Sequence, residues 1–218
     1  MSAQNLSLYH IVRESSLKEN APLLIMFHGY GSDENDLFSF SSELPEELFI
    51  ISVRAPLAMK PYGNAWYTIN FDDFNGKWSD DEEAKQSRDL IAKFIDEATA
   101  TYPVNKDNVT LLGFSQGTIL SYGVALSYPE KVNNIIALSG YINPELLPAN
   151  VETKDYSKLN FYCSHGSVDQ VIPVDWARKV PEFLKALNIK NQYSEFPVGH
   201  GVAPQNFYGL KKWLENKI

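Results

Sequence analysis

Gly113-Phe114-Ser115-Gln116-Gly117 has the form Gly-x-Ser-x-Gly, the spacing that sets a serine hydroxyl on a sharp turn between a strand and a helix. A serine there takes a strained backbone, and small residues two positions to either side let strand and helix approach closely. The flanks agree: Val109-Thr110-Leu111-Leu112 reads as a strand, and Thr118-Ile119-Leu120 opens an amphipathic helix. Ser115 therefore sits at a helix N-terminus, where the dipole favours negative charge. The chemistry implied is nucleophilic attack by Ser115. The bland alternative is a glycine-containing turn with an incidental serine.

A serine hydroxyl needs a base, and histidine titrates in the right range, at roughly 6.5. There are 4 histidines. His10 lies in the expected first strand, away from any strand C-terminus. His28 and His165 each precede a glycine at a strand end and read as structural hydrogen bonders. His200, in Val198-Gly199-His200-Gly201, follows the last strand and comes after Ser115, as the order Ser, Asp or Glu, His demands. Between them Asp169 lies on the turn beyond Leu159 to Cys163, placed to accept the His200 Nδ1 proton and fix its tautomer. Asp155 precedes that strand and Asp175 falls in the next helix. The oxyanion needs backbone donors: one is expected from Gln116, the other from His28-Gly29-Tyr30-Gly31, with Tyr30 N–H the choice.

Other chemistries fit less well. His165 and Asp169 are four apart, but no His-x-x-Glu-His string exists and no metal is expected. Cys163 lies inside an apolar strand, where a free cysteine is usually a small buried hydrophobe. Trp66, with Tyr67 beside it, is expected in the wall of a mostly apolar substrate pocket, although core packing is the simpler role for the aromatic run Trp66, Tyr67, Phe71, Phe74, Trp78.

Such residues must be carried to one rim by the elements around them. Short apolar runs alternate with longer amphipathic stretches, the pattern of a mostly parallel sheet of about seven strands with helices on both faces. Expected strands lie near Leu6 to Arg13, Leu23 to Phe27, Phe49 to Val53, Val109 to Phe114, Ile135 to Leu138, Leu159 to Cys163 and Gln192 to Phe196. Four helices are expected. The first follows a capping box, Ser79-Asp80-Asp81-Glu82, and carries Ala84, Ile91, Phe94, Ile95 and Ala98 on one face. The second follows Ser115 and ends before Tyr128-Pro129. The third starts near Pro173 with Trp176, Val180, Phe183, Leu184 and Leu187 inward, kinked or split at Pro181. The fourth runs from Pro204 with Phe207, Leu210 and Leu214 inward. The connection of about 54–78 has no sustained period, so it is expected to be functional or to hold short strands.

The chain has 218 residues, enough for a single domain, 1–218, with a large core. Its hydrophobic and charged fractions, 44% and 21%, are ordinary for a globular chain. A net charge of −8 argues against nucleic acid. No apolar run approaches the roughly 20 residues of a membrane span, and Met1 to Asn5 does not read as a secretory signal. With its single cysteine the chain is expected to be cytoplasmic, and the partner of an attacking Ser115 is expected to be a small ester or thioester.

Taken together, the residues resemble the phospholipase/carboxylesterase group of α/β-hydrolases, which includes acyl-protein thioesterases and small bacterial carboxylesterases. The likeness covers nearly the whole chain. It rests on His28-Gly29-Tyr30-Gly31, Trp66, Gly113-Phe114-Ser115-Gln116-Gly117, Ala137-Leu138-Ser139-Gly140, His165-Gly166 with Asp169 and Pro173, and Gly199-His200. The resemblance implies an α/β-hydrolase fold, a Ser115, Asp169, His200 triad, an oxyanion hole from Tyr30 and Gln116, hydrolysis of acyl esters, and no cofactor. Two departures, Tyr30 where thioesterase members carry Leu and Tyr67-Thr68 where they carry Phe-Asp, favour a general carboxylesterase over a thioesterase or lysophospholipase. From a different class, a non-catalytic ligand binder on the same fold is the competing expectation.

Overall fold

The computed structural model describes residues 6–72 and 76–218, without the side chains of 71–72 and 76–78. Met1 to Asn5 and Phe74, and the Phe71 and Trp78 side chains, lie outside the described residues. In chain order the elements are β1 (His10–Arg13), β2 (Ala21–Phe27), α1 (Asn35–Phe38), β3 (Phe49–Val53), β4 (Leu57–Ala58), β5 (Asn64–Ala65), β6 (Ile69–Asp72), β7 (Gly76–Ser79), α2 (Asp81–Thr101), β8 (Val104–Phe114) and α3 (Gln116–Ser127). There follow β9 (Asn134–Leu138), β10 (Asn160–Gly166), α4 (Val174–Ala177), α5 (Val180–Ala186), β11 (Lys190–Phe196) and α6 (Pro204–Glu215).

Seven strands form one sheet in the order β1-β3-β2-β8-β9-β10-β11. Only β1 runs antiparallel, against β3; the remaining neighbours are parallel. All seven expected strands are present. The consecutive apolar residues of β2 are all buried, because alternate side chains feed two cores on opposite faces. Leu23, Ile25 and Phe27 join the core beneath α2, α3 and α5. Leu24 and Met26 join the one covered by α1 and α6, with Leu210 and Leu214.

Three sequence expectations need correction: the α2 cap, the amphipathic α3 and the inward Trp176. The α2 cap is Asp80, whose side chain accepts from Glu83 N; Ser79 is committed to β7, paired with Ile69, so the cap lies one residue later than Ser79. The α3 helix is not amphipathic: all twelve of its residues are buried, since it packs on the sheet with α2 against its outer side. The third helix is split into α4 and α5, with Pro181 in the first turn of α5, where a missing N–H costs nothing. The break turns Trp176 outward, leaving it 47% exposed. The 54–78 connection does hold short strands, the hairpins β4–β5 and β6–β7.

Candidate active site

β8 occupies the middle of the sheet and ends directly before Ser115. Ser115 has φ 54° and ψ −116°, a conformation rarely adopted by a non-glycine residue and typical of strained functional turns. The close approach that makes this turn possible is measurable. A Cβ on Gly117 would lie 2.0 Å from Phe27 O, and one on Gly113 would lie 2.5 Å from the Gly117 carbonyl. Thr118 ties the ends of β8 and β9 together, its hydroxyl lying 2.6 Å from both Gly113 O and Leu138 O.

Ser115 Oγ is 2.9 Å from His200 Nε2, and His200 Nδ1 is 2.7 Å from Asp169 Oδ2. A carboxylate only accepts, so the imidazole proton sits on Nδ1 and the Nε2 lone pair faces the serine. The His200 ring lies 4.9 Å from that of Phe114, which backs it. Its loop is held against the end of β10, where a Cβ on Gly166 would lie 2.1 Å from Gly199 O.

Asp169 Oδ1 accepts from Val171 N (2.8 Å) and Ile172 N (3.0 Å). Burial alone would raise this carboxyl, but the His200 hydrogen bond and the two amides outweigh it and hold Asp169 below the usual carboxylate range. The other histidines are bonded structurally. His28 Nε2 accepts from Ala55 N (3.0 Å) while Nδ1 donates to Gly29 O (2.7 Å), and burial lowers its pKa. His10 bridges Leu8 O and Tyr102 Oη, and His165 lies behind Asp169.

The 28–34 loop runs past the serine. Gly31 N donates to Asn64 O, Ser32 N to Gly29 O and Ser115 N to Leu138 O. The Gln116 side chain pins the neighbouring segment, accepting from Trp66 N (3.0 Å) and donating to Tyr67 O (2.7 Å). Glu34, 3% exposed and bonded to Arg54, anchors the far end of the loop; neither residue was singled out from sequence, because an exposed-type pair of opposite charge carries no local signal.

A cavity of about 730 Å³ opens over Ser115 and His200, walled in part by Tyr30, Tyr67, Ile119, Tyr141, Val171 and Trp176. Tyr67 is in this wall as expected, but Trp66 is not. Its side chain is fully buried behind the wall, with Nε1 donating to His28 O (2.9 Å), so it braces the loop from within. Tyr141, Val171 and Trp176 are wall residues that sequence reasoning missed. Among the described residues no helix is long and apolar enough to cross a membrane.

A mostly parallel sheet with a strained serine after its central strand and a histidine and aspartate converging from later loops defines the α/β-hydrolase class. Within it, this chain belongs to the phospholipase/carboxylesterase family, whose model matches residues 9–218. It is 27% identical over 228 residues to acyl-protein thioesterase 1 of Mycosarcoma maydis, covering 94% of each chain. It is also 27% identical over 116 residues to a protein of Arabidopsis thaliana named "Probable carboxylesterase SOBER1-like". That match covers 53% of this chain and 44% of the plant protein, so this chain spans less than half of that relative's length; a rice relative named as a probable carboxylesterase is covered over 58% of its length. The crystal structure of esterase PE8 shares the fold, with a TM-score of 0.84 at 24% identity, covering 97% of this chain and 99% of that one.

Proposed function

We propose that the chain is a single-domain serine carboxylesterase that hydrolyses short to medium acyl esters through an acyl-Ser115 intermediate. The observation that carries this reading is the continuous relay from Ser115 Oγ through His200 to Asp169, at 2.9 and 2.7 Å. Ser115 Oγ attacks the ester carbonyl carbon as its proton passes to His200 Nε2, and Asp169 stabilises the imidazolium without taking the proton. The Tyr30 and Gln116 amides donate to the developing oxyanion. Collapse breaks the bond to the alcohol oxygen, which leaves with the proton from His200. Water, deprotonated by the same base, then releases the carboxylic acid and restores Ser115.

Support for a modest acyl group comes from the cavity. Aromatic side chains, Tyr67, Tyr141 and Trp176, occupy much of its wall. The second reading, hydrolysis of thioesters, is favoured by the acyl-protein thioesterase relative that matches end to end; the oxyanion geometry suits both, and the leaving group decides. The net charge of −8 supports a neutral small-molecule substrate rather than a polyanion partner, and the single cysteine is compatible with a cytoplasmic setting.

A fluorophosphonate separates an enzyme from a non-catalytic binder. One adduct on Ser115, absent in Ser115→Ala and after heat denaturation, is the expected result. A folded protein that takes up no label would defeat the proposal. Rates on matched ester and thioester panels of increasing acyl length then locate the substrate class, with a maximum at long chains contradicting the short-acyl reading.

A further inference from the structure

The Asp169 carboxylate faces two histidines, not one. His200 Nδ1 is 2.7 Å from Oδ2, and His165 Nε2 is 3.3 Å from the same oxygen. The His165 and Asp169 side chains are both 0% exposed. His165 Nε2 also lies 2.9 Å from Ile172 O. A carbonyl can only accept, so the ring proton is on Nε2 and is donated to Ile172 O, with Asp169 Oδ2 a close neighbour rather than a second acceptor. On the opposite side of the ring, Nδ1 is buried and has no partner among the described residues.

That arrangement is costly for a residue serving only to fill space. A buried unpaired polar atom costs free energy that an apolar ring of similar size would not. What the imidazole supplies is a donor to the turn that carries the carboxylate, from a ring edge 3.3 Å from Oδ2. The turn is otherwise closed on one side, by Val171 N and Ile172 N donating to Oδ1. The torsion that orients a carboxylate is broad and roughly two-fold, so the alignment of Oδ2 with His200 depends on how firmly the turn carrying the two amides is fixed. His165 restrains that turn through Ile172 O.

We propose that His165 is a positioning residue, whose Nε2–H holds the 169–172 turn at Ile172 O and so keeps Asp169 Oδ2 in line with His200 Nδ1. This rests on the reading of Ser115, His200 and Asp169 as the catalytic relay. His165 touches no substrate and transfers no proton; it acts through Asp169. Loss of its donor loosens the relay while leaving most of the cavity wall in place, Val171 and Ile172 being the lining residues on that turn, so kcat falls far more than KM changes. Because a displacement of about 1 Å can cost on the order of 100-fold in rate, the expected loss is about tenfold or more.

Two neutral amide replacements isolate the donor. In His165→Gln the amide nitrogen ends near the position of Nε2 and can donate to Ile172 O; in His165→Asn it ends nearer Nδ1 and falls short. The measurements are the rate of Ser115 phosphonylation, kcat and KM on p-nitrophenyl butyrate, and the thermal midpoint. His165→Gln should stay within about threefold of the parent. His165→Asn should lose about tenfold or more in kcat and in phosphonylation rate, with KM within about twofold. Equal rates in both variants, whether high or in step with thermal stability, would overturn the inference alone. No labelling of the parent protein would remove the relay reading and this inference with it. The imidazole 15N spectrum of the unmodified protein needs no variant: His165 must be protonated at Nε2, and a proton on Nδ1 would refute the proposal.

Discussion

His200 Nε2 lies 2.9 Å from Ser115 Oγ across a sequence separation of 85 residues. Two different strand ends deliver them. Ser115 is fixed by the turn out of β8, where Gly113 and Gly117 admit the helix. His200 is fixed by the end of β10, where its loop lies against Gly166, and by Phe114 beneath its ring. The nucleophile's own neighbour thus helps seat the base.

Replacing Asp169 by Asn should leave the fold and abolish most of the activity. An amide nitrogen would face His200 Nδ1, and the ring would respond by moving its proton to Nε2, where it can no longer accept from Ser115. In the serine-protease triad this substitution lowers kcat by about 10⁴, and a loss of roughly 10³–10⁴ is expected here. Burst and steady-state rates on a p-nitrophenyl ester check it, and a loss under tenfold contradicts the assigned role.

The same carboxylate should leave a mark on acid stability. Its folded pKa is depressed, chiefly by the His200 bond and two amides working against burial. A group lowered in this way stabilises the fold above its unfolded value, about 3.9, and that contribution disappears as pH falls through the lower folded value. Between pH 5 and pH 2 the thermal midpoint of the parent should therefore fall more steeply than that of Asp169→Asn. Parallel curves would show that Asp169 gains nothing from its partners.

Cys163 is the competing nucleophile that the sequence left open, and its environment makes it inert. Burial pushes the thiol up to about 12, with the Tyr122 hydroxyl bond lowering it only in part. At pH 8 the thiolate is then on the order of 10⁻⁴ of the population. Ellman's reagent should leave the native protein unlabelled and titrate one thiol in guanidinium. Rapid native labelling with loss of activity would return Cys163 to contention.

How far the sequence carried this description depended on whether a signal was local. The strands were legible because each is a short apolar run, and the Ser115 turn because its glycines stand at fixed spacing. His200 and Asp169 followed from chain order and from lying after strands. Orientation was not legible. Trp66 was placed in the pocket wall because aromatic residues favour such walls, yet its indole N–H turns to His28 O inside the protein. Trp176 fits the helical period of the core, but the break before α5 rotates it to the cavity mouth. His165 reads as one more structural histidine until its distance to Asp169 is measured. Each miss concerns which way a side chain faces across a turn, and that is settled by partners distant in sequence.

Glycines around the His200 loop offer a test of whether that loop's position, rather than its flexibility, sets the rate. A Cβ at position 166 would lie 2.1 Å from Gly199 O and 2.3 Å from Val198 O, whereas one at position 199 or 201 meets nothing within 4 Å. Gly166→Ala must therefore push the loop off β10 and draw His200 away from Ser115. Gly199→Ala and Gly201→Ala stiffen the same loop without displacing it. Overpacking of this kind costs about 1–3 kcal/mol in stability, and the misplaced base should cost on the order of 100-fold in kcat. The two control substitutions should stay within a few fold of the parent. If they slow the enzyme as much as Gly166→Ala does, loop mobility is the controlling variable, and the fixed 2.9 Å geometry is not what drives the reaction.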